Sequence, residues 1–149
     1  MNCLHDPACR ASLVARIQTL RPDAERRWGK MRVDQMLWHV NEAMEQALGR
    51  VVVSRAPNAP PVPSPVLRFA VLNLPWPKGR APTGPELVAR ETYDFQAERA
   101  RTLKLVDEMA ARDVNGAWPT SAAFGKMSGM GWSRLEAKHL DHHLKQFGA

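Results

Sequence analysis

Apolar residues in this chain recur at intervals of three and four far more often than at intervals of two, and that period predicts helices. Leu13, Ile17 and Leu20, with Val14 beside them, mark a first helix over 7–20. Pro7 suits its first turn, and Arg21-Pro22-Asp23 stops it. Val33, Met36, Leu37, Val40, Met44, Ala47 and Leu48 form a second stripe over 33–49, with Gly49 as the terminator. A third pattern runs over 86–112 through Tyr93, Phe95, Leu103, Val106, Met109 and Ala110, with Pro85 at its start. The fourth covers 129–147, with Ser128 placed to cap it and Gly148 to end it.

The connection over 50–85 is different. It holds nine of the twelve prolines, so it cannot be one long helix. Its middle, "VLRFAVLNLPWPKG", is apolar enough for a short helix lying over the core. Val51–Val53 is the only β-branched run, which leaves no sheet to build. The expectation is an all-α protein, a four-helix bundle in a single domain over 1–149. The long crossover joins the second and third helices and lets neighbours run parallel.

Composition narrows the function classes. Hydrophobic residues at 44 % and charged residues at 24 % fit an ordinary globular domain. The net charge is +6, but acidic and basic residues are interspersed. No Lys/Arg block or basic–aromatic motif appears, so no nucleic-acid partner is expected. There is no apolar run long enough for a membrane span and no secretory signal pattern. Two cysteines, Cys3 and Cys9, cannot make a disulfide framework, so a cytoplasmic location is expected. With His5 they spell C-x-H-x3-C, which fits no common zinc spacing.

Three of the five histidines fall within "KHLDHHLKQFGA", residues 138–149. With Trp132 set to zero on a helical wheel, His139 lies near about −20°, His143 near about +20° and Gln146 near about −40°. These four share the face flanked by Leu135 and Leu140, the face expected to point inward. His142 lies on the edge, and Asp141 opposite. Imidazoles at i and i+4 project side by side and can converge on one ion. Buried without a partner they would be costly. A third ligand should come from another helix. His39, on the flank of the second stripe, is the candidate, and His5 the other spare. No glutamate reads as convincingly inward, so no general base is assigned.

The motif H-x-x-H-H-x-x-Q in "HLDHHLKQ" resembles the last-helix motif of the DinB/YfiT-like metalloenzymes. "RWGKM", "QMLWHV", "LPWPKG", "PTGPE", "FGKMS" and "KHLDHHLKQFG" follow in that family's order. The resemblance implies a four-helix bundle holding a divalent metal ion, zinc or nickel, on His39, His139 and His143. Gln146, His142 and Trp132 would line the surroundings. It further implies thiol-dependent transfer or metal-assisted hydrolysis on a small molecule, with a low-molecular-weight thiol as partner. Separately, the exposed faces of a bundle are compatible with a homodimer. A non-catalytic metal-binding or partner-binding bundle is the alternative. Arg32 and Gly131 depart from the pattern, standing where a Ser/Thr cap and an acidic capping-box residue are usual.

Overall fold

The computed structural model describes residues 2–149, and these contain helices but no strand. There are five α-helices where the hydrophobic period predicts four long ones: α1 Pro7–Thr19, α2 Val33–Ala47, α3 Ser64–Asn73, α4 Phe95–Ala111 and α5 Gly129–Gln146. The extra helix, α3, is the short element expected inside the crossover, shifted toward its N-terminal side. Leu74 turns extended ahead of Pro75 and ends it.

Local chemistry sets most boundaries. The Asp6 carboxylate accepts the N–H groups of Ala8 and Cys9, and Pro7 occupies the first turn of α1. Ser128 Oγ accepts the Gly131 N–H at 3.0 Å and caps α5. Gly148, at φ +76°, follows that helix's end. Arg32 carries no acceptor for the N-terminus of α2. Only the reciprocal half of a capping box forms there, with Gln35 Oε1 accepting the Arg32 N–H at 3.0 Å.

The predicted third helix starts nine residues late. Pro85–Leu87 make a single 3-10 turn, and 88–94 run irregularly before Asp94 caps α4 through the Ala97 N–H. The reason lies on α2. Its side chains claim the backbone groups that a helix there would use. His39 takes the Leu87 carbonyl, Gln35 the Glu91 carbonyl, and Asp34 the Tyr93 N–H.

α2 packs against α4 and α5, and α1 packs against the same two. Pairings climb together along α2 and α4: Asp34 with Tyr93, Asn41 with Glu98, Glu42 with Arg101, Arg50 with Glu108. These two helices are therefore parallel, as a long crossover allows. His5 meets Arg112 while Leu20 meets Arg99, so α1 opposes α4. His5 with Ser133 and Arg16 with Asp141 make α1 and α5 parallel. α2 and α5 thus run in opposite directions.

Ile17, Met36, Leu37, Met44, Leu105, Met109, Trp132, Leu140 and Leu144 fill the core. α3 buries no residue completely and lies across α5. Lys138 Nζ donates to the Val71 and Leu74 carbonyls and Arg68 to those of Phe124 and Lys126, which fastens α3 at both ends. No helix among the described residues is long and apolar enough to cross a membrane.

Candidate metal centre

Antiparallel packing of α2 on α5 brings three imidazoles together from positions 39, 139 and 143. All three are buried, at 7, 7 and 8 % exposure. One ligand atom from each lies within 4.8 Å of the other two, close enough to hold a metal ion. The ring centroids are 4.8–4.9 Å apart.

The outer nitrogens of two rings are fixed by hydrogen bonds, and the third faces a carboxyl group. His39 Nδ1 lies 2.7 Å from the Leu87 carbonyl oxygen. His143 Nδ1 lies 2.7 Å from Gln146 Oε1. His139 Nδ1 faces Glu136 Oε2 at 3.5 Å. A neutral imidazole that donates from Nδ1 keeps a lone pair on Nε2. Three such lone pairs converge, and His39 Nε2 stands only 2.9 Å from His139 Nε2.

Two lone pairs at that distance repel unless something positive lies between them. A proton could do so if one ring gave up its Nδ1–H, which at His39 strands the Leu87 carbonyl and at His139 requires a protonated Glu136 to donate to the bare Nδ1. A second proton on either ring is opposed by burial, reinforced at His39 by His139. These push His39 down to about 3 and His139 to about 4. Burial and the neighbouring imidazoles hold His143 well below its usual value. A cation on the three Nε2 atoms satisfies every nitrogen without disturbing any outer partner. The donor set therefore fits a divalent ion.

Gln146 orients His143, as its place on the wheel suggested. Its Nε2 donates to the Trp28 carbonyl at 2.9 Å, which points its oxygen at the imidazole. The adjoining Gly29 sits at φ +76°, and a Cβ there would lie 2.7 Å from Gln146 Nε2. Glycine is required on both counts.

Glu136 overturns the expectation that no glutamate points inward. It is 1 % exposed, and its Oε2 has no hydrogen-bond partner within 3.5 Å of good geometry other than the approach of His139. Burial raises its carboxyl to about 8. The wheel contained the signal. Glu136 lies near about +40°, between His143 and Phe147, on the same inward face. Its charge argued for solvent, and position argued otherwise.

His142 is half-buried at the rim. Its ring packs against Trp28 at 5.5 Å, Trp76 at 5.4 Å and His143 at 5.1 Å. Trp132 shares the inward face but lies two turns away, fully buried in the core, with its indole N–H donating to the Pro119 carbonyl. It anchors α5 to the 113–128 loop. His5 is not part of the cluster. Cys3 and Cys9 are free thiols, the first buried. Sequence reasoning missed Trp28 and Trp76 as neighbours of the site, because both sit in loops with no helical phase to read.

The fold and site define an all-helical protein with a buried three-histidine centre. The chain matches no protein-family model, no curated protein and no solved structure.

Proposed function

We propose that the protein is a metal-dependent enzyme of the DinB/YfiT-like type, with His39, His139 and His143 as the ligands of one divalent ion, zinc or nickel. The observation that supports this most is the three-way division of labour in the imidazoles, with outer nitrogens tied to protein groups and inner nitrogens turned toward one another. When bound, the ion supplies Lewis acidity, the chemistry by which thiols or water become nucleophilic near neutral pH. Three neutral ligands leave its full positive charge available for that purpose. The reaction proposed is thiol-dependent transfer or hydrolysis on a small molecule.

The surrounding residues have distinct tasks. Leu87, from the 3-10 turn, holds the His39 ring by its carbonyl. Gln146 transmits the position of the Trp28 loop to His143. Glu136, whose Oε2 lies 3.5 Å from His139 Nδ1, would become a buried negative partner once a cation is held on the imidazoles. Trp28, Trp76 and His142 form an aromatic wall beside the ligands and limit water on that side.

Untagged protein, purified without chelators and analysed by elemental mass spectrometry, should carry about one divalent ion per chain. A chain that remains metal-free after incubation with zinc and nickel salts sinks the proposal.

A further inference from the structure

Two loops from distant parts of the sequence meet beside the histidines. Residues 26–30 lead into α2, and residues 76–80 follow α3. Their backbones touch at two glycines, where a Cβ on Gly79 would lie 3.7 Å from both N and Cα of Gly29. Each loop sends a tryptophan onto the same ring. Trp28 and Trp76 both pack on His142, and Trp76 also reaches His139 at 5.7 Å. The loop pair is therefore the wall of the histidine centre.

Its charge is one-sided. Arg26, Arg27, Lys30, Lys78 and Arg80 all lie exposed in these two short stretches, which contain no carboxylate. Other cations in the fold are held either by acids, as Arg16 is by Asp141 and Arg101 by Glu42 and Glu98, or by backbone carbonyls, as Arg68 and Lys138 are. Among the described residues, none of the five loop cations has a carboxylate within salt-bridge distance. Arg26 donates only to the Gly29 carbonyl, and Lys78 Nζ lies over the Trp28 ring at 4.8 Å.

Five like charges gathered on two touching loops repel one another and weaken the loop contact. An anion removes that repulsion. Indole faces beside a cation suit a flat or apolar body carrying the anionic group. We infer that the wall made by loops 26–30 and 76–80 binds the anionic end of a small organic acid, with Lys78 its principal contact and Trp28 and Trp76 flanking its body. This gives the substrate class of the centre proposed above and rests on that reading for its catalytic meaning. The binding itself depends only on the loops.

The test is calorimetric titration of the protein, with and without added Ni²⁺, using benzoate and its neutral analogue benzamide as probes. Benzoate should bind at least about tenfold more tightly than benzamide, and Lys78→Glu should abolish roughly that difference. Ni²⁺ affinity should stay unchanged in the variant, because Lys78 touches no histidine ligand, and the melting temperature should not fall, because the substitution relieves repulsion between the loops. Equal affinities for the two probes, or undiminished benzoate binding in both Lys78→Glu and the Lys78→Glu/Arg80→Glu double variant, would overturn the inference. So would a short DNA oligonucleotide that binds through the same lysine where benzoate does not. Failure to bind Ni²⁺ would instead strike the metal reading, and the metal-free titration would still decide this one.

Discussion

Histidine is used in two ways at opposite ends of α5. Near its start, His5 bridges two helices. Its Nδ1 lies 2.8 Å from Ser133 Oγ and its Nε2 2.8 Å from the Arg112 carbonyl. Near its end, His39, His139 and His143 also bridge helices, but each has one nitrogen fixed and one turned toward other imidazoles. The first arrangement is closed, since every ring atom that can bond has a protein partner. The second leaves ring nitrogens facing one another, close enough to hold a metal ion. His5 is partly buried and the triad buried, but the degree of burial does not by itself tell a tie from a ligand. The destination of the second nitrogen does.

The strongest way to break this contrast is to remove one inward nitrogen. His143→Ala should reduce bound metal from about one ion per chain to none detectable, because two ligands on an otherwise apolar wall hold an ion far more weakly than three. Elemental analysis after dialysis reads this directly. Retention of stoichiometric metal would mean that the cluster is merely packed, like His5.

Next in size is the outer partner of His139. Glu136→Gln keeps the shape but removes the negative charge, and should weaken metal binding by roughly 10- to 100-fold in competition titrations with a chromophoric chelator. Glu136→Leu should do the same while raising the melting temperature of the metal-free protein, since an apolar side chain there strands no buried oxygen. A rise in stability without loss of affinity would identify Glu136 as a misfit in the core rather than a partner of the ligand.

Much of this was legible in the sequence. The α5 wheel separated His139 and His143 from His142, and the demand for a ligand on a second helix led to His39. Helix phase carries that information because a buried stripe must face the core, whatever the side chains on it. What phase cannot supply is where loops go. Trp28 and Trp76 come to the site through glycine-hinged segments with no period. The delayed start of α4 depends on side chains of α2 that lie 48 to 59 residues away. Glu136 was readable by angle yet set aside by residue type. A carboxylate on an inward face next to a histidine pair is better taken as a partner of that pair than as an exception to the pattern.

Proton linkage offers a subtler separation. The triad histidines are held neutral in the folded metal-free protein, with His39 near about 3 and His139 near about 4, whereas in the unfolded chain they titrate at their ordinary value of 6.5. Below pH 6.5 the unfolded state binds more protons. Stability contributed by these groups is therefore full above pH 6.5 and is lost as pH falls toward 3. Glu136 has the opposite sign. Its carboxyl is raised to about 8 from 4.5, so its contribution is full below pH 4.5 and is lost as pH rises through 8. Metal-free protein should melt highest near pH 6.5, and Glu136→Gln should remove the decline on the alkaline side alone. Thermal melts across pH 4.5–8.5 in the presence of a chelator test both limbs. A profile unaltered by Glu136→Gln would place the alkaline decline on another group.

The smallest expected effect on the metal belongs to His5, and it sharpens the contrast because it is expected to be none. His5→Ala leaves Ser133, which is fully buried, and the Arg112 carbonyl without their side-chain partner. The cost is in stability, about 1–3 kcal/mol for stranded buried polar groups, read as a shift in the denaturation midpoint. Ser133 lies on α5 a turn and a half before His139, so a loosened helix start could be carried along α5 to the centre. That route is blocked by the packing of α5 along and on either side of this stretch. Trp132 is tied to Pro119, and Leu135 and Leu140 are packed in the core. Metal content and affinity in His5→Ala should therefore equal those of the wild type while its melting temperature drops. Loss of both together would show that the tie at one end of α5 and the ligands at the other are parts of one device, and that the distinction between closed and open histidines does not hold for this helix.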